Sequence, residues 1–216
     1  MPLLPVLVGL IGLTIVALIY LVARPDVTRV AGGKALAFLL IFVAPALALF
    51  GGATAHLERS KTTQFCLSCH VMGPYGKSLA VDDKEYIPAQ HYQNGRVPRD
   101  HACYTCHTDY AIFGGVRSKM RGLRHVMVNY FGTAPDTIKL YNPFNNRECL
   151  HCHLGSRSFE ESPGHKGEET PMAAIKSGKT SCLEAGCHDV AHNVHELADV
   201  TFWKPALEEI GKELGR

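Results

Sequence analysis

The chain has 216 residues, 22 basic and 20 acidic side chains, a formal net charge of +2, and 46% hydrophobic residues. That balance supplies no basic field for nucleic acid, and the length suits one domain with additions rather than several. The unusual counts are 8 cysteines and 12 histidines.

Leu3 to Val22 is an uncharged apolar run. About 20 helical residues span a hydrocarbon core. Pro2 and Pro5 stand at its start, where a helix tolerates them. A polar turn with Arg24, Arg29 and Lys34 follows, and Ala35 to Ala53 is a second uncharged apolar run in which Pro45 predicts a kink. A cleaved leader would carry basic residues at its start and a short polar cleavage region after it. Met1 to Pro5 has no basic side chain, so the first run reads as a retained membrane helix. The positive-inside rule puts the Arg/Lys turn in the cytoplasm. Both ends of the hairpin then face outward, with everything after His56 on the outer side of the membrane.

The expected layout is a membrane anchor over residues 1–57 (spans about 3–22 and 35–53), a domain over 58–198, and a C-terminal amphipathic helix within 199–216. That last helix is clearest from Pro205 to Leu214. Beyond Glu58 the apolar residues keep neither a helical nor a strand period, and Gly and Pro recur. The fold class predicted is mainly α with extensive loops: a transmembrane helical hairpin plus a compact domain of short helices. Ser118 to Phe131 is the longest helix expected in it.

Every cysteine falls in one of four similar units. The first is Cys66-Leu-Ser-Cys69-His70, the second Cys103-Tyr-Thr-Cys106-His107, and the third Cys149-Leu-His-Cys152-His153. The fourth, Cys182-Leu-Glu-Ala-Gly-Cys187-His188, has four residues between its cysteines. Two cysteines closed at once by histidine is the attachment signature of a c-type haem: the thiols add to the vinyl groups and the histidine is held under the iron. Zinc ribbons also use Cys-x-x-Cys pairs but need no histidine after each second cysteine. The units predict four covalently attached haems, which would supply much of the core that this polar sequence lacks. Haem attachment in bacteria takes place outside the cytoplasmic membrane, in agreement with the charge argument. Each six-coordinate haem needs a second ligand. His56, His91, His101, His125, His151, His165, His192 and His195 are available, and spacing does not choose among them.

The sequence resembles the NapC/NirT/NrfH family of membrane-anchored tetrahaem quinol dehydrogenases. The likeness rests on Cys66-x-x-Cys69-His70-x-Met72, His91-Tyr92, the Ser118-Lys119 segment leading to Phe131-Gly132, and the last unit followed by His192. It implies that Met72 is an axial ligand of the first haem, with His70 either its second ligand or, as in one branch of the family, displaced from that iron. It also implies that His91 stands opposite His153 on the third haem and His192 opposite His107 on the second. For the fourth, with His188 proximal, the family position falls on Pro171; adjacent Met172, His165 and a partner's side chain are the alternatives.

Three departures stand out: two membrane helices instead of one, the expanded fourth unit, and Gly115 and Gly122 where one branch of the family has a lysine and an aspartate at its quinol pocket. Arg117, Lys119 and His125 lie in that segment, and a histidine can accept a quinol proton near neutral pH. The alternative there is a basic face toward water or lipid headgroups.

The resemblance implies a subunit of the inner membrane, with its haem domain on the periplasmic side and part of a hetero-oligomeric complex. It would oxidise a quinol, menaquinol for low-potential haems, and pass electrons to a periplasmic multihaem reductase or other redox protein. A relay subunit of a larger respiratory complex, without its own quinone site, is the second reading.

Overall fold

The computed structural model describes residues 3–133, 135, 138, 140–141, 144–167, 172–189 and 191–215. Pro171 lies outside the described residues. The chain divides into two compact units, Met1–Lys61 and Thr62–Arg216.

In the first unit, helix α1 (Leu3–Ala23) leads through a 3-10 turn (Pro25–Arg29) into helix α2 (Ala31–Arg59), and the two run antiparallel. The turn is tight: a Cβ on Gly33 would lie 1.7 Å from the Val27 carbonyl oxygen, so only glycine fits there. Gly51 lets the helices approach, since its Cβ would stand 3.1 Å from Leu7 Cδ2. Both helices are long and apolar enough to cross a membrane. Their outer faces carry side chains such as Leu13 and Phe50, 67% and 70% exposed, as faces turned to lipid would. Thr14 and Thr54 donate their hydroxyls to the carbonyls of Leu10 and Phe50, so neither asks anything of the surroundings.

Pro45 does not break α2. Lacking an N–H, and with a ring that crowds the preceding turn, it is accommodated by a π-helical turn over Leu39–Val43, where the Ala44 N–H reaches back to the Leu39 carbonyl. The helix also outruns the apolar segment expected over 35–53. Thr54 to Arg59 contain no breaker, so the hydrogen-bond ladder continues beyond it. At about 1.5 Å per residue α2 is roughly 44 Å long, more than a hydrocarbon core of about 30 Å.

The second unit is built of short helices: α3 (Thr63–Leu67), α4 (Gly73–Ser78), α5 (Ile87–Gln93), α6 (Ala102–Cys106), α7 (Gly114–Phe131), α8 (Asn146–His153), α9 (Arg157–Glu160), α10 (Met172–Ser177) and α11 (Lys204–Glu213). Among the described residues there is no β-strand, only an isolated bridge between Val81 and Phe202. α7 starts a turn before the expected Ser118, because the chain folds back at Gly114. A Cβ there would fall 1.6 Å from the Asp109 carbonyl oxygen.

The apolar core gathers Leu67, Leu79, Tyr92, Val97, Ala206 and Ile210. The last two belong to α11, which packs on α3 and α4. Its approach is pinned by Asp82 N–H to the Thr201 carbonyl (2.9 Å) and Trp203 N–H to the Ala80 carbonyl (2.8 Å). The C-terminal helix therefore closes the core under the first Cys/His unit. This core is thin. The largest fully buried side chains among the described residues are Tyr92, Ile210, Thr63 and Ser78, and two of those are polar.

Buried polar side chains tie the units together instead. Thr63 donates to the Arg99 carbonyl (2.7 Å) and accepts from Ala102 N–H (2.9 Å), joining α3 to α6. Asn146, 4% exposed, donates to the carbonyls of Ile175 and Thr180 and accepts from Cys182 N–H at 2.8 Å. Replacing Asn146 by Ala leaves those three backbone groups without their partner, at about 1–3 kcal/mol for each that water does not reach. Asn146→Ala is expected to lower the melting temperature of the full chain and raise the fraction lacking haem on the fourth unit, measured by calorimetry and intact-protein mass.

Candidate functional site

In the first three units both cysteines and the intervening pair lie on or beside a helical turn: the end of α3, all of α6, and α8. Residues three apart on a helix share a face, so the two thiols point the same way. In the second unit the turn is closed by the His107 N–H donating to the Cys103 carbonyl at 2.9 Å. The fourth unit has no helix, yet it ends alike: the His188 N–H donates to the Cys182 carbonyl at 3.0 Å. Cys187 N–H to the Glu184 carbonyl (2.9 Å) folds the extra residues outward, and Gly186 takes φ +81. The expansion is a loop inserted into a unit whose closure is unchanged.

None of the eight cysteines is in a disulfide. Their contacts place the units in a row. The Cys103 thiol hydrogen-bonds Cys66, which lowers the Cys66 pKa against the opposing effect of burial. The Cys149–Cys182 hydrogen bond lowers Cys182 in the same way. Cys106 is raised, first by burial and then by the neighbouring Cys152 thiol. In the fold α3 packs on α6 and α6 on α8, and Asn146 of α8 holds the Cys182 N–H, so unit one meets two, two meets three, and three meets four.

The closing histidines face second histidines. His107 and His192 stack with ring centroids 6.2 Å apart and planes 18° apart. His91 and His153 stand 5.9 Å apart, and His165 and His188 stand 6.2 Å apart. With metal–imidazole bonds of about 2 Å on each side and the half-width of each ring added, two imidazoles sharing one metal atom stand roughly 6 Å apart. The three second histidines have a common support. His91 Nδ1 lies 2.8 Å from the Ile87 carbonyl and His165 Nδ1 3.0 Å from the Phe159 carbonyl. His192 Nδ1 lies 2.7 Å from Ser78 Oγ, whose own proton goes to the Tyr75 carbonyl at 2.6 Å. Each acceptor requires Nδ1 to carry the proton, which leaves the Nε2 lone pair available.

Burial lowers the His192 pKa to about 4, with the neighbouring His107 adding to the shift. His153 is lowered by burial and then by His91, His188 and His165. These rings are neutral at pH 7, the form a metal needs. Burial lowers the His107 pKa as well. Among the described residues no group of three or more His, Cys, Asp or Glu side chains converges as a metal site. The donor set therefore fits haem, whose ring supplies the remaining ligands, and does not form a closed zinc site.

In the first unit Met72 packs against the apolar core while His70 is exposed. Met172 begins α10, and the ring opposite His188 is that of His165. His101 pairs with Asp100 (3.0 Å) and His151 stacks on Tyr110 at 3.7 Å.

The residues expected at a quinol site do not converge. Lys119 lies over the Tyr104 ring at 4.8 Å and close enough to Cys66 for its charge to lower that thiol. Arg117 reaches toward buried Asp109 at 3.8 Å, which Arg147 also holds at 3.1 Å. His125 stacks on Tyr141 at 4.3 Å, its pKa lowered by burial and by Arg124. A Cβ on Gly115 would meet the Tyr104 hydroxyl at 2.6 Å, whereas Gly122 faces open space. Sequence reading missed Ser78, which had no motif to flag it, and Glu148. The Glu148 carboxyl closes the capping box of α8, and burial raises it to about 7.

The family model of the NapC/NirT cytochrome c family, N-terminal region, matches residues 30–197. The cytochrome c-type protein NapC of Escherichia coli (strain K12) is 24% identical over 179 residues, covering 75% of this chain and 84% of its own length. The denitrification system component NirT of Stutzerimonas stutzeri is 25% identical over 193 residues, covering 82% and 88%. The cytochrome c-type protein TorC of Escherichia coli (strain K12) is 23% identical over 179 residues, covering 76% of this chain but 43% of TorC. No solved structure matches. The Cys/His units, the row they form and the match over most of the chain agree: this protein belongs to the NapC/NirT cytochrome c family.

Proposed function

We propose that the chain is a tetrahaem electron carrier that oxidises a quinol at the membrane and delivers the electrons to a redox partner on the periplasmic side. The observation that carries this reading is the row of four Cys/His units, each in contact with the next. Bound haem supplies one-electron redox chemistry at iron. The chain's own part is to hold each group by two thioethers and to fix its axial imidazoles.

We assign Met72 to the first unit, with His70 outside its coordination. His107 and His192 serve the second, and His153 and His91 the third. The fourth takes His188 with His165, in place of Met172. The ring separations and the Nδ1–H donors support these pairings. With them the fourth unit needs no side chain from another protein.

Lys119 is the best-placed group for a quinol, since it acts on Cys66 of the first unit. His125 and Arg117 stand further along α7, and His125 is a proton acceptor only if the quinol reaches that far. The partner is proposed by class alone: a periplasmic multihaem reductase or other redox protein.

Three measurements test this. Intact mass of the purified chain should show four haems, and His165→Ala should convert one of them to high spin in the magnetic circular dichroism spectrum, where Met172→Ala should not. Met72→Ala should remove a sulfur-to-iron charge-transfer band that His70→Ala leaves in place. In lipid nanodiscs, a menaquinol analogue should reduce the wild-type chain. Lys119→Gln should slow that reduction roughly ten- to hundredfold, the loss of one charge-assisted hydrogen bond. Reduction by dithionite but not by the quinol analogue would make the protein a relay subunit without a quinone site.

A further inference from the structure

Helix α7 is amphipathic in the wrong sense for a soluble domain. The residues it turns toward the domain are Gly114, Ser118, Arg121, His125 and Val128, all partly or fully covered and three or four apart. The opposite stripe is Val116, Met120, Leu123, Met127 and Tyr130, at the same spacing, and these are 51%, 62%, 48%, 51% and 73% exposed. A helix on a globular surface faces its apolar stripe inward. Here the polar stripe packs and the apolar stripe is bare.

The bare stripe is extended at both ends. Ile112 and Phe113 precede it, 88% and 82% exposed, and Phe131 closes it at 82%. Phe113 holds φ +61, the left-handed region. For a bulky residue that conformation costs about 1–2 kcal/mol, and Phe113, so exposed, buries little among the described residues to offset it. Cations flank the stripe: Lys119 on one side, Arg117 and Arg124 on the other. Lys119 and Arg124 lie over the rings of Tyr104 and Tyr141, at 4.8 Å and 4.1 Å. No acidic residue occurs in the helix.

We infer that α7 is an interfacial helix, lying along the surface of the membrane with its apolar stripe at the acyl boundary and its cations among anionic lipid phosphates. Aliphatic and Met side chains along the centre, aromatics at both ends, and basic residues without acidic ones are the pattern that binds such a surface. One helix of this kind binds weakly alone. In a chain already held by α1 and α2 the contact is intramolecular and needs little affinity of its own. The inference rests on membrane anchoring and is independent of whether the protein oxidises quinol.

The test uses the full-length haem-loaded protein, one copy per nanodisc of phosphatidylglycerol, with no partner present. Met120→Cys, Met127→Cys and, as an exposed control off the stripe, Asn129→Cys each add one thiol, the natural cysteines being bonded to haem. Each is reacted with a small apolar maleimide and with a polymer-linked maleimide that cannot enter lipid. The polymer-to-apolar labelling ratio should be roughly tenfold lower at positions 120 and 127 than at 129, with the haem spectrum unchanged in all three. Equal ratios at the three positions would overturn the inference. Shielding that appears only in native membranes carrying other proteins would overturn it too, and would make the stripe a protein-docking face. Leu123→Glu supplies a second reading: it should raise the ratio at both stripe positions while leaving the quinol-analogue reduction rate of the first unit measurable separately.

Discussion

A histidine that offers one lone pair to a metal has to employ its other ring nitrogen as a donor, and much of the second unit is arranged around meeting that demand three times. The acceptors are different: a carbonyl one helical turn back for His91, a loop carbonyl for His165, a serine hydroxyl for His192. The outcome is the same, a ring fixed in one tautomer with its Nε2 lone pair left free. Ser78 shows the economy of this. Its single proton goes to the Tyr75 carbonyl, and this makes its oxygen an acceptor toward His192.

The thin core follows from the same demand. Facing imidazoles roughly 6 Å apart cannot be packed together by aliphatic side chains, so the helices that carry them stay short and the backbone runs between them as loops. Stability then comes from a small cluster around Tyr92 and Ile210 and from buried hydrogen bonds such as those of Thr63 and Asn146. A domain so built is expected to order fully only around its cofactor, as metal-dependent folds do. The first unit answers to a different solvent. Its threonines satisfy themselves within their own helices, its proline is absorbed by a widened turn, and its outer faces are left apolar.

The Cys/His units meet one another in the order of the sequence. The fourth unit shows how tolerant that design is. Two more residues between its cysteines are looped aside, and the closing hydrogen bond from His188 to Cys182 survives. The region around α7 is less settled by family likeness. Gly115 is held against Tyr104 and Gly122 opens onto space, while the charge of Lys119 reaches Cys66 of the first Cys/His unit.

The Cys/His signatures were legible in the sequence because they are local. Cys66 to His70 and its three counterparts are short segments whose spacing points to haem attachment, and two runs of apolar residues long enough to span a bilayer announce themselves by length. The positions of helices α7 and α11 could also be read, from periodicity and from Pro and Gly signals, to within a turn. What the sequence by itself could not decide was every relation across the fold. Eight spare histidines have the same chemistry, and only the tertiary structure sets His165 across from His188 and gives its Nδ1 proton to Phe159. Nor could the periodicity of α7 say which of its faces turns inward. That depends on Asp109, Tyr104 and Tyr141, which meet its polar side from elsewhere in the chain. Spacing along a chain records which groups can share a face; which groups meet across a gap is settled only when separate segments pack.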